Sequence, residues 1–139
     1  MALDIICAES LIVSAFGLKK AERLRSKTKI QDLFNSGKTI RMPQIKMIYK
    51  HVECDQNGYH PHMVMFSAPK KQYPKAVDRN KRKRHLRESY RLNKSILYSE
   101  DEKRAYYYTI IFIYLGSVLL PFKELEKIMV SVLNKIKEC

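Results

Sequence analysis

The apolar positions along this 139-residue chain change their period several times, and each change marks an element. Ile30, Leu33 and Phe34 recur at i, i+3, i+4, the spacing of one helical face. Thr28 and Gln31 stand three apart like a capping box, and Gly37 supplies a stop, which predicts a short helix between them. From Ile45 to Val52 the period falls to two, with Ile45, Met47 and Tyr49 on one side of a strand and Lys46, Ile48 and Lys50 on the other. Glu53 to His60 is polar and contains Asn57-Gly58, a strong hairpin-turn pair, so Met63 to Ala68 reads as the returning strand, ended by Pro69.

A loop with Pro74 then leads into a long helix from about Asp78 to Leu97, with room for a further strand before it. Tyr106 to Leu115 is a β-branched and aromatic run, too apolar for an edge facing water. Of Tyr106, Tyr107 and Tyr108, alternation expects two to pack and one to meet solvent. Pro121 suits the first turn of a final helix, where Phe122, Leu125, Met129, Val132, Leu133 and Ile136 make a core stripe. The succession predicts an α+β sandwich: a single domain with one mixed sheet of about four strands, packed with three helices.

Composition narrows the function. Apolar residues make up 45% of the chain, enough for a core, and the length suits one domain. Cys7, Cys54 and Cys139 are far apart and form no CxxC pair, which indicates neither a disulfide framework nor a zinc ribbon and points to a reducing cytoplasm. No apolar run approaches the roughly 20 residues that span a bilayer. Residues 1–18 are apolar, yet they open without a positive region and carry Asp4 and Glu9, unlike a signal peptide. We read them as an extension, or a start codon chosen too early, outside a domain of residues 19–139.

Charge is the strongest signal. Lys and Arg number 27 against 14 Asp and Glu, a formal net charge of +13. Such a surface attracts nucleic acid, anionic membrane or an acidic protein. Eleven of the positives lie between Lys70 and Lys94, opposed only by Asp78 and Glu88. A merely soluble helix would intersperse Glu with Lys, whereas this one places like charges together at a cost. At about 100° per residue, Asn80, Lys83, Arg84, Arg87, Arg91 and Lys94 share one broad face. Leu86, Tyr90 and Leu97 fall on an adjoining stripe that can dock on a sheet. Membrane-surface helices pair their charges with a large apolar face, and this stripe is modest. Arginine forks donate two parallel hydrogen bonds to phosphate, so a row of them favours a nucleic-acid backbone.

The run Ala76-Val77-Asp78-Arg79-Asn80-Lys81-Arg82-Lys83-Arg84-His85-Leu86-Arg87-Glu88 resembles the signature of the bacterial ribonuclease P protein subunit family. Phe66-Ser67-Ala68-Pro69-Lys70-Lys71 resembles the strand end before that motif. Arg23 to Lys27, continued through Leu33 to Lys38, resembles the family's opening helix. Lys81 departs from the pattern, standing where the family usually has its second Arg; it keeps the charge and loses the fork.

The resemblance implies an α+β sandwich with a left-handed crossover. It implies a subunit that joins a catalytic RNA, which holds the catalytic Mg2+, in removing the 5′ leader of precursor tRNA. Contacts to that RNA would come from Lys70, Lys71, Arg79, Asn80, Lys81, Lys83, Arg84, Arg87 and Arg91. The leader would lie in a cleft between the first helix and the sheet, using Phe34, Tyr49 on the facing strand, Ile30 and Ser67. Ile30 stands where the family often has an aromatic, which leaves less stacking surface. Neither a membrane nor a stable protein partner is implied.

Other constellations point nowhere else. His51, Cys54, His60 and His62 lie within twelve residues, but their spacing matches no closed zinc motif. Nothing resembles a hydrolytic triad, a phosphate-cradling Gly-rich loop or a paired carboxylate site, so no catalytic or metal-ligating residue is expected in this chain. The alternative is a ribosome-associated structural RNA-binding protein that uses the same helix and has no role in cleavage.

Overall fold

The computed structural model describes residues 22–53, 61–98, 106–116 and 118–138. The expected N-terminal extension of residues 1–18, the expected turn at Asn57-Gly58, His60 and all three cysteines lie outside them. In chain order the elements are α1 (Lys27–Ser36), β1 (Lys38–Arg41), β2 (Ile45–Glu53), β3 (Met63–Ser67), α2 (Ala76–Asn93), α3 (Ser95–Tyr98), β4 (Tyr106–Tyr114) and α4 (Phe122–Glu138).

The cap of α1 is Ser26, two residues before the expected Thr28-Gln31 pair: its extended backbone lets the hydroxyl accept from the Lys29 amide at 3.4 Å. Gly37 ends the helix as expected, though not through a left-handed turn. Its backbone is extended (φ −71°, ψ 154°) and its N–H donates to Leu33 O at 2.8 Å. A Cβ there would stand 2.5 Å from Leu33 O and 2.7 Å from Ile48 Cγ2, so glycine is required by close approach.

The sheet order is β1-β2-β4-β3. β4 pairs antiparallel with β2 along nine residues, from Ile45 opposite Tyr114 to Glu53 opposite Tyr106, and parallel with β3. The central place of β4 follows from its composition, which is apolar on both faces and leaves it no side to turn to water. This corrects the expected hairpin. β3 runs back antiparallel to β2, but the two are not neighbours, because each satisfies its ladder against β4. The four-residue β1, Lys-Thr-Ile-Arg, pairs with β2 as a short basic edge that the sequence pattern did not announce. On the far side, the Leu24 amide donates to Val64 O at 2.9 Å and Arg23 bridges Val64, so the segment before α1 covers part of the β3 edge.

Each face of the sheet carries its own core. Ile45, Met47, Tyr49, Val64, Tyr108, Ile110, Phe112 and Tyr114 face α2 and α4. The expected α4 stripe of Leu125, Met129, Val132, Leu133 and Ile136 is fully buried among them. On the opposite face Leu33 of α1 packs with Leu24, Ile48 and Ile111, flanked by half-buried Ile30, Met63, Met65 and Ile113. Two of the three tyrosines pack and one is exposed, but by position in the strand and not by face. Tyr107 and Tyr108 are buried on opposite faces of a strand covered on both sides, and Tyr106 at its start is exposed.

Candidate nucleic-acid interface

α2 is anchored along one side. Leu86 and Tyr90 are buried on the sheet, where Tyr90 meets Phe66 and Phe112 at centroid distances of 5.9 and 5.6 Å. The other side presents Asn80, Lys81, Arg84 and Arg87 to solvent, with Lys83 and Arg91 half-buried at its margins. Lys70 and Lys71 are exposed on the turn that leads into the helix. Nine predicted contacts for the catalytic RNA therefore lie on one stretch of chain, seven of them on α2.

Not all of them are equally available. One Arg79 guanidinium nitrogen donates to the carbonyls of Tyr73 and Pro74, both at 2.9 Å, tying the helix to the preceding loop. Arg91 donates twice to Glu88 Oε2, at 2.7 and 3.0 Å. Lys94 leaves the predicted face altogether. It lies past the last turn of α2, buried, with its ammonium 2.9 Å from the Glu22 carboxylate. A helical wheel places Lys94 with the arginines because it assumes the helix continues. Arg82, absent from the predicted contacts, is also turned inward, at 7% exposure, with its guanidinium carbon 4.1 Å from the Tyr73 ring centroid.

The second predicted surface divides differently. Phe34 is 55% exposed on α1, unusual for so large an apolar side chain, with Ile30 one turn before it and half-buried. Tyr49 does not face them. It is 2% exposed in the core on the other face of the sheet, edge-on to Tyr108 at 6.3 Å. The strand residue beneath α1 is its neighbour Ile48, since successive side chains alternate. Along the same face, register sets Arg41, Lys46, Ile113 and Ser67 in one row across all four strands. Ser67 thus shares a face with α1, whereas Tyr49 does not. Asp32 of α1 meets Lys50 of β2 at 2.6 Å, and that hydrogen bond holds the exposed carboxyl below the usual carboxylate range.

His51 and His62 lie against opposite sides of Tyr108, with centroids at 4.7 and 5.1 Å. His62 Nδ1 accepts from the Tyr108 amide at 3.0 Å, a role in the sheet. Among the described residues no three His, Cys, Asp or Glu side chains gather where a metal could be held. No helix among them is long and apolar enough to cross a membrane.

A sequence profile described as Ribonuclease P matches residues 18–137. The ribonuclease P protein component of Porphyromonas gingivalis is 34% identical over 123 residues, covering 88% of each chain. That of Chlorobium phaeobacteroides is 39% identical over 83 residues, covering 59% of this chain and 57% of its own. Among solved structures, the RNase P protein from Thermotoga maritima superposes with a TM-score of 0.63 at 21% identity, covering 82% of this chain and 96% of the other. The Staphylococcus aureus RNase P protein gives 0.63 at 23% identity, covering 85% and 97%. At those identities the structural likeness speaks for the fold.

Proposed function

The chain belongs to the ribonuclease P protein family, and from that premise we propose that it binds the catalytic RNA through the solvent side of α2 and the 5′ leader of precursor tRNA through the α1 face of the sheet. The observation that carries the first half is the row Asn80, Lys81, Arg84 and Arg87, held outward by a helix whose opposite side is fixed in the core. A helix already fixed in place presents these side chains to a phosphate backbone without having to be ordered on binding.

The second half is supported by the exposed Phe34 ring, a stacking surface for an unpaired base, beside a sheet face that carries Arg41 and Lys46 for phosphates and Ser67 for hydrogen bonding. Tyr49 has no part in it.

We assign the chemistry, and the Mg2+ it needs, to the RNA. Three of the described carboxylates are already paired with cations: Asp32 with Lys50, Glu88 with Arg91, Glu22 with Lys94. The protein's contribution is then affinity and position, in the cytoplasm where precursor tRNA is made. A ribosome-associated structural role is not favoured, because the family match spans nearly the whole chain.

Reconstitution tests this. Purified protein added to the matching catalytic RNA should raise cleavage of precursor tRNA at low Mg2+, and protein without RNA should cleave nothing. Unaltered cleavage by the RNA on adding the protein would defeat the proposal.

A further inference from the structure

We propose that Arg82 is a positioning residue for RNA binding: stacked on Tyr73, it holds the turn that presents Lys70 and Lys71. The inference rests on α2 and its entry turn being the surface that binds the catalytic RNA.

Lys70, Lys71 and Gln72 are the three residues enclosed by a turn that the Tyr73 amide closes on Pro69 O at 2.9 Å. Both lysines are exposed, and nothing in their own side chains orients them. Tyr73 does. Its ring is buried, its hydroxyl donates to Gly116 O, and its carbonyl accepts from Arg79 at 2.9 Å. Gln72 adds a bond from its amide to Leu115 O. The free face of the ring is closed by Arg82, whose guanidinium lies 4.1 Å from the Tyr73 centroid and 5.5 Å from that of Tyr114. Arg82 Nη1 is fixed in turn to Asp78 O at 3.2 Å.

Burying a guanidinium is costly, and two ring faces on one cation offset that cost. Because Arg82 points inward from the helix side opposite Arg84, it cannot itself reach a bound backbone. Its influence on RNA passes through Tyr73 to the turn. A turn fixed before binding spares the ordering of two lysines during association. Arg82 and Arg79 thus convert part of the basic motif from contact into scaffold.

The test measures affinity for the catalytic RNA against salt for the whole protein, for R82M, for K70A/K71A and for the triple variant, each checked by thermal unfolding. Each lost phosphate contact flattens the log K against log salt slope by about 0.7 to 0.9. R82M and K70A/K71A should therefore each flatten it by up to about 1.4 to 1.8, and the triple variant should bind no worse than K70A/K71A. R82K, which keeps the charge but not the flat stack, should fold and still bind more weakly than the native protein; it decides the matter if R82M does not fold. Additive losses in the triple variant would overturn the proposal, as would native binding by R82K. If K70A/K71A binds normally while R84A and R87A are weakened, the proposal fails and α2 remains the interface. If R84A and R87A also bind normally, the assignment of the RNA surface fails with it.

Discussion

Lys94 Nζ lies 2.9 Å from a Glu22 carboxylate oxygen, with the two side chains 5% and 9% exposed. The pair joins the segment before α1 to the end of α2, and so ties together the two surfaces assigned to RNA. Removing one member of a buried pair strands the other charge, at a cost of roughly 3–5 kcal/mol. Lys94→Met should lower stability by that order in urea unfolding, and combining it with Glu22→Leu should recover most of the loss. Equal stability of Lys94→Met and the native protein would show the pair to be solvated.

Arg84 and Arg87 occupy the middle of the exposed row on α2. Replacing either by Ala should weaken binding to the catalytic RNA and flatten the salt slope by about 0.7 to 0.9, while leaving the melting temperature near native. Unchanged affinity and slope in both variants would place the interface elsewhere.

Phe34 and Tyr49 should separate cleanly by mutation. Phe34→Ala removes an exposed ring, so stability should hold while precursor tRNA binding weakens by roughly 1–3 kcal/mol relative to mature tRNA, the worth of one stacked base. Tyr49→Ala opens a cavity in the main core and should cost on the order of 3–5 kcal/mol of stability, reducing both RNA-binding activities together. Circular dichroism run beside the two binding assays reads both outcomes, and selective loss of leader binding in a stable Tyr49→Ala protein would reverse the assignment.

His51 gives stability a pH dependence. Burial between Tyr106 and Tyr108, and then the charge of Lys38, hold its imidazole below the ordinary value of 6.5. Acidification protonates the unfolded chain first, so the His51 contribution is complete above about pH 6.5 and declines as the pH falls below it. His51→Gln should lessen the loss of stability between neutral and mildly acidic pH; a loss as large as that of the native protein would assign the effect to other groups.

Much of this was legible in the chain. β2, β3, β4, α2 and α4 follow from period and composition alone, and the apolar excess of Tyr106–Tyr114 correctly forecasts a strand with neighbours on both sides. The misreadings share a cause, which is that local pattern carries no information about distant partners. Alternation separates Ile48 from Tyr49 without saying which face α1 will cover. The helical wheel groups Lys94 with Arg87 because it cannot see Glu22, 72 residues away. β1 is too short and too polar to register as a strand, and exists because β2 offers it a ladder. Gly37 signals a helix end from sequence, but part of the reason for glycine, beside the Leu33 carbonyl, is Ile48 of β2 against it.

The strand order also governs when the protein can exist as a folded object during its synthesis. β2 and β3 are made first and cannot pair with each other in the native sheet; both wait for β4, which is translated after α2 and α3. A nascent chain halted before Tyr106 exposes Ile45, Met47, Val64 and Leu86 with no central strand to gather them. It already displays the arginines of α2. Long-range pairing of this kind folds slowly and leaves apolar strands open to misassociation. The ribosome therefore carries a basic, coreless intermediate that only the last quarter of the chain can complete, and the interval between α2 and β4 is when a chaperone, or an RNA, would meet it.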